Sequence, residues 1–261
     1  MQQNTLIQFP VSIGSYTSFV DKITDLARMQ SSAYVCVANV HMLIEAYYDQ
    51  EFRQVLKGAN IVAPDGMPIT WGLSFFHGIK QDRVAGMDLL PDLLQEMMQK
   101  NLSVCFYGGS QDLLNITRLY VKEKFPLLNV KGYHSPPYRV LTDVEIEATI
   151  NNINLSKANI VFVVLGCPKQ EKWMAAMKGK INACMVGIGG ALPVMVGLQK
   201  RAPMWMQVRG LEWLYRLYSE PRRMFKRYAI TNSVFIFLVF KEFIKVKFLK
   251  KNNAKKNPLD S

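Results

Sequence analysis

The run Ile160-Val161-Phe162-Val163-Val164-Leu165 carries no polar side chain and stops at Gly166. A strand apolar on both faces must be covered on both faces, and in a parallel sheet helices do the covering. This segment therefore predicts the central strand of an α/β layer structure. The rest of the chain repeats the theme. Shorter β-rich runs at 34–38, 60–63, 102–107, 128–133 and 183–188 alternate with helical patterns at 42–56, 67–76, 88–100, 111–125 and 142–153. Strands spaced by helices of about 10–15 residues imply right-handed crossovers. The expected fold class is α/β: a Rossmann-like, doubly wound, mostly parallel sheet with a basic helical C-terminal appendage.

In such a sheet, ligands gather outside the carboxyl ends of the strands. The residues there are Asn39-Val40-His41, Pro64-Asp65-Gly66, Gly108-Gly109-Ser110, Gly166-Cys167-Pro168-Lys169-Gln170-Glu171 and Gly189-Gly190-Ala191. Asp65 sits in a sharp turn at a strand end, where a carboxylate can act as a base. Arg83-Val84-Ala85-Gly86-Met87-Asp88 then offers a cation, a glycine and a second carboxylate just before a helix. Together these supply a base, an anion clamp and a helix N-terminus facing a phosphate. The plainer alternative is an ordinary Asp-Gly turn and an ordinary N-cap at Asp88. Neither the dinucleotide pattern G-x-G-x-x-G nor a G-x-x-x-x-G-K-[ST] phosphate loop occurs, which argues against NAD chemistry and a P-loop ATPase.

Hydrophobic residues make up 49% of the 261 residues and charged residues 20%, a globular composition. The net charge of +12 is unevenly placed: about +1 falls on residues 1–198 and +11 on residues 199–261. The expected division is an α/β catalytic domain over 1–198, a basic membrane-associating appendage over 199–250 and a disordered tail over 251–261. In the appendage Phe235, Phe237, Leu238, Phe240 and Phe243 precede and interleave with lysines. That pattern fits an interfacial helix on an anionic membrane surface better than a nucleic-acid partner. A helix completing the core, or a contact with another copy of the chain in a homo-oligomer, is the competing account. No apolar run reaches the roughly 18 residues of a membrane span. The four cysteines show no C-x-x-C spacing, so a reducing cytosol and no zinc site are expected. The N-terminal stretch has no signal-peptide pattern.

Several motifs now combine. Gly166-x-Pro168-Lys169-Gln170-Glu171-x-Trp173 follows the long apolar strand. Arg201-Ala202-Pro203, Gly210-Leu211-Glu212-Trp213-Leu214-Tyr215-Arg216-Leu217 and Glu220-Pro221-Arg222-Arg223 come later, and Pro64-Asp65-Gly66 and Arg83-Val84-x-Gly86-x-Asp88 earlier. In this order they resemble the WecG/TagA/CpsF family of bacterial glycosyltransferases over residues 34–228. The resemblance implies inverting transfer from a UDP-sugar to a polyprenyl-diphosphate-linked sugar, for cell-surface polysaccharide or teichoic acid. It also implies no cofactor and no metal, and a location on the inner face of the cell membrane. The donors it implies carry N-acetylmannosamine or its uronic acid.

Under this resemblance Asp65 is the base, Arg83 a catalytic cation and Gln170 a group that positions a sugar hydroxyl. Asn39, Gly66, Gly86, Asp88, Gly166, Gly189 and Gly190 contribute to substrate binding. Arg216, Arg223 and Lys226 of the appendage clamp a diphosphate, sharing a helix face where the helix runs on through Pro221. Trp173, Trp205 and Trp213 are expected to be packing residues and His41 a structural one. Two departures bear on donor identity: Val37 stands where the family commonly has threonine, and Pro193 where it has aspartate. A related neutral hexose is thereby an alternative donor. A non-catalytic membrane scaffold of polysaccharide assembly is the alternative to an enzyme.

Overall fold

The computed structural model describes residues 1–256, with the side chains of 223, 226, 227 and 246–256 outside the description. The chain opens with strands β1 (Gln3–Leu6) and β2 (Phe9–Ser12), then helix α1 (Tyr16–Arg28). Strand β3 (Ala33–Ala38) leads into α2 (Val40–Tyr48) and α3 (Gln50–Lys57), and β4 (Ile61–Pro64) into α4 (Met67–His77) and α5 (Gly86–Gln99). Next come β5 (Ser103–Gly108), α6 (Gln111–Lys124), β6 (Asn129–His134), α7 (Asp143–Ser156), β7 (Ile160–Val164), α8 (Lys169–Met177) and β8 (Cys184–Gly187). Four helices finish it: α9 (Ala191–Met195), α10 (Met204–Val208), α11 (Glu212–Ser219) and α12 (Pro221–Lys256).

Strands β3 to β8 form one six-stranded sheet in the order β4-β3-β8-β7-β5-β6, with every pairing parallel. The doubly wound α/β fold expected from the alternation is therefore the fold observed. Strand β7 sits inside the sheet between β8 and β5, and all five of its residues are buried. Its side chains divide by parity: Val161 and Val163 enter the core beneath α2, α3, α4 and α8, while Ile160, Phe162 and Val164 enter the core beneath α1, α5 and α6.

The N-terminal hairpin, absent from the sequence reading, guards the sheet edge. Ser12 Oγ accepts a hydrogen bond from the Val62 N–H of edge strand β4 at 3.0 Å. The helix expected over 42–56 is two helices, because Asp49 is extended (φ −103°, ψ 105°) and its carboxylate accepts from Phe52 N–H to start α3. Thr142 and Glu145 form the capping box their spacing predicts.

At the C-terminal end, Glu220 (φ −135°, ψ 61°) terminates α11 and Pro221 opens α12, a position where proline's missing N–H costs nothing. Arg216 and Arg223 therefore lie on different helices and share no continuous helical face. Helix α12 buries Met224 and Leu238 and lays Val234, Phe235 and Val239 against the sheet's first core. Its backbone is helical to Lys256, and residues 257–261 of the tail expected over 251–261 lie outside the described residues. Among the described residues no helix is long and apolar enough to cross a membrane.

Candidate active site

The carboxyl ends of β3 and β4 meet the appendage around a cavity of about 780 Å³. Asn39, Asp65, Gly66, Arg83, Glu212 and Arg216 line its polar end. Strand pairing explains why the first two are neighbours: Ala38 is in register with Pro64, so the residues that follow leave the sheet side by side. Asp65 N–H donates to Ala38 O at 2.8 Å, which pins the turn. Asn39 caps α2, its side chain accepting from Met42 N–H at 3.3 Å. One carboxylate oxygen of Asp65 accepts from Gly86 N–H at 3.3 Å, where α5 begins. Asp65, Gly66, Gly86 and Asn39 are thus brought together as expected.

Asp65 is electrostatically poised. Burial, the largest influence, pushes its carboxyl up to about 6, and the nearby Glu212 pushes the same way. Arg216, Arg83 and the Gly86 N–H pull it back down. The balance leaves a carboxylate that is ionised at neutral pH yet more basic than an exposed one.

Arg83 lines the cavity, but its charge is committed. Its guanidinium binds Glu212 and lies 3.5 Å from Asp88. Asp88 in turn holds Arg201 at 2.6 Å, and Arg201 Nε lies 3.5 Å from Glu212. Two cations and two anions alternate, joining the body (Arg83, Asp88) to the appendage (Arg201, Glu212). Asp88 serves this network and is not among the residues lining the cavity. Arg216 reaches the cavity with no ion pair to a described carboxylate at contact distance, though Asp65 feels its charge; its guanidinium rests 3.6 Å from Met87 Sδ. The side chains of Arg223 and Lys226 lie outside the described residues.

Gln170 does not line the cavity. It is 4% exposed; its Oε1 accepts from Gly166 N–H at 3.2 Å and its Nε2 donates to Glu171 at 2.7 Å. A Cβ at Gly187 would lie 2.9 Å from the Gln170 amide nitrogen, so the glycine is the notch into which this side chain packs. Its amide is spent on tying the β7 loop to α8; Gly166 donates to it, Gly189 lies beside it, and neither is among the residues lining the cavity. Fully buried Glu171, beside Cys167, is pushed up to about 7 by burial. Gly190 borders a second cavity of about 330 Å³, which shares Met87, Glu212 and Arg216 with the first.

Other placements were not foreseen. Glu212 is the hinge of the ion-pair network, and its signal was in the sequence: it is the one acidic residue in the basic stretch 199–219. Trp213, expected to pack, lines the cavity and meets Tyr228 edge-to-face at 6.0 Å. Trp205 is 55% exposed, whereas Trp173 does pack, stacking on Tyr107 at 4.3 Å. His41 lines the cavity with Nδ1 3.7 Å from Glu45. The other end of the cavity is apolar, walled by Trp71, Phe75 and Phe76 of α4 and Phe235, Ile236 and Val239 of α12. Gly210 (φ 71°) lets the appendage approach α4, since a Cβ there would lie 3.1 Å from Met67. Among the described residues no group of three His, Cys, Asp or Glu is placed to hold a metal ion.

Comparison with known proteins gives this geometry a context. The chain is similar to the N-acetylglucosaminyldiphosphoundecaprenol N-acetyl-beta-D-mannosaminyltransferase of Bacillus spizizenii, 30% identical over 236 residues that cover 90% of each chain. It is similar to the enzyme of the same name from Bacillus subtilis, 28% identical over 240 residues, covering 88% of this chain and 91% of the relative. The Staphylococcus aureus enzyme of that name is 24% identical over 221 residues, 83% of each chain. The family model described as "Glycosyl transferase WecG/TagA/CpsF family" matches residues 4–248, and this chain, with its carboxylate cavity closed by a basic appendage, belongs to that family of glycosyltransferases.

Proposed function

We propose that the protein is an inverting transferase that moves a sugar from a UDP-sugar to a hydroxyl of a polyprenyl-diphosphate-linked sugar. The observation that carries this reading is Asp65, a carboxylate raised to about 6, fixed by Gly86 N–H and open to a cavity that Arg216 also reaches. In a single displacement the acceptor hydroxyl gives its proton to Asp65 as its oxygen bonds to the anomeric carbon. The bond from that carbon to the UDP oxygen breaks on the opposite face, so the anomeric configuration inverts. The departing diphosphate gains negative charge, and Arg216, on the wall between the two cavities, is the cation that meets it. Arg83 acts indirectly, holding Glu212 and shaping the field at Asp65.

The donor sugar is N-acetylmannosamine, its uronic acid or a related hexose; the first is the group named for the relatives. Val37 and Pro193 are where this chain would set its own preference. The basic appendage holds the protein against the inner face of the cell membrane, where a lipid-linked acceptor resides. The test is UDP release from a panel of UDP-sugars, with polyprenyl-diphosphate-linked N-acetylglucosamine as acceptor, with and without EDTA. Acceptor-dependent release with one sugar, unchanged by EDTA, is the expected result. No release with any sugar, in the presence of lipid-linked extracts as well, would overturn it.

A further inference from the structure

The cavity, of about 780 Å³, is lined by more than the polar groups around Asp65, and its lining differs in polarity from element to element. Carboxylate, amide and guanidinium groups cluster at the β3–β4 end. Trp71, Phe75 and Phe76 of α4 and Phe235, Ile236 and Val239 of α12 contribute an apolar part with no charged side chain, while Thr231 and Asn232 of α12 also line the cavity. Three of its wall residues are strongly exposed for their size: Trp71 at 53%, Phe75 at 63% and Ile236 at 67%. Phe75 also meets Phe243 at 5.8 Å, so the apolar surface continues outward past the cavity mouth. Exposed apolar area of this kind is costly unless something covers it. The charged side chains of this part of α12, Lys241, Glu242 and Lys245, are not among the lining residues.

We infer that the apolar half of the cavity, between α4 and α12, seats the first isoprene units of the acceptor's lipid chain. This rests on the polyprenyl-linked acceptor proposed above. A sugar diphosphate on a hydrocarbon chain is polar at one end and apolar at the other, and the cavity has the same order. With the acceptor sugar at Asp65, its diphosphate falls near the polar-to-apolar transition. The chain then leaves between the two helices, toward the aromatic rim. The groove is thus a recognition site for the lipid itself and more than a place where the protein rests on a bilayer. Aromatic and branched walls suit a branched, unsaturated chain, which gains from contact area without any directional bond.

The two roles separate in a bilayer-free assay with water-soluble acceptors. The full chain is given N-acetylglucosamine diphosphate esters with a methyl, a two-isoprene or a three-isoprene tail. The expected result is a KM for acceptor that falls by about tenfold or more from the methyl ester to the longest tail, with kcat little changed. In Ile236→Asp, a substitution at an exposed helical position, this dependence on tail length is expected to collapse while the thermal transition is retained. A wild-type KM indifferent to the tail, or a dependence that survives in a folded Ile236→Asp protein, overturns the inference. Should no acceptor turn over, the functional reading itself fails, and direct binding decides the groove. Farnesyl diphosphate titrated against the fluorescence of the cavity tryptophans should then bind the wild type and bind Ile236→Asp at least about tenfold more weakly. Equal or absent binding overturns the inference in that case too.

Discussion

Asp65 illustrates how little chemistry the turn needs beyond placement. Its carboxyl is raised mainly by burial, so the folded protein holds this proton more tightly than the unfolded chain does. The stability linked to it is full below about pH 4 and is lost as pH rises through about 6. Asp65→Asn, which keeps the oxygen facing Gly86 N–H, is therefore expected to be more stable than wild type above pH 6, by up to about 3 kcal/mol, and equal to it below about pH 4. Thermal unfolding at pH 4 and pH 8 checks this. Arg216 acts on the same group with the opposite sign, since its charge lowers the carboxyl. Replacing it in Arg216→Met should move the acid limb of the kcat/KM profile upward from about pH 6 and weaken the step in which negative charge leaves. A limb that stays put would remove Arg216 from the neighbourhood of the base.

At the scale of elements, two arrangements build the site: the adjacent ends of β3 and β4, and the docking of α11 and α12 over them. The first was readable, because a Pro-Asp-Gly turn after an apolar run at 60–63 names both strand end and carboxylate. The second was only partly readable. Arg83, Asp88, Arg201 and Glu212 appear in the sequence as separate motifs, and nothing in their spacing says that they neutralise one another across the seam between body and appendage. For that reason Arg83 reads as a phosphate clamp in the sequence and is an ion-pair partner in the structure. Gln170 misleads similarly: a polar residue after a strand end suggests a ligand contact, yet glycines at 187 and 189 make room for it inside. Trp71 is 164 residues from Phe235 and 165 from Ile236 in sequence, and no local pattern pairs these walls. The ion-pair seam carries its own prediction. Glu212→Ala leaves Arg83 and Arg201 to share Asp88 as their one remaining counter-charge in the network, and should destabilise by roughly 3 kcal/mol. Thermal unfolding measures the loss, and limited proteolysis across 197–203 should show the appendage released first.

For the whole molecule, the asymmetry of charge matters most. The body is nearly neutral, while α12 runs about 54 Å from the active site outward and carries much of the excess positive charge. Residues 247–261 hold five of the lysines. Removing them is expected to weaken sedimentation with anionic vesicles markedly, since each such lysine near the surface contributes about 1 kcal/mol, and to leave binding to neutral vesicles little changed. Turnover of a water-soluble acceptor should survive the same truncation. Equal sedimentation of the two proteins with anionic vesicles would count against the membrane role of the tail. Weakened sedimentation of the truncated protein would instead place membrane capture at the far end of α12, beyond the proposed lipid groove and the Asp65 cavity.

We place sugar transfer in the cavity around Asp65. Acceptor-dependent transfer by Asp65→Asn, measured beside its thermal transition, tests it most directly. A fall in kcat of roughly 10²–10⁴-fold is expected, the range a positioned base contributes, in a protein that unfolds at or above the wild-type temperature at neutral pH. Transfer within a few-fold of wild type in a folded variant would contradict it and move the chemistry elsewhere in the molecule.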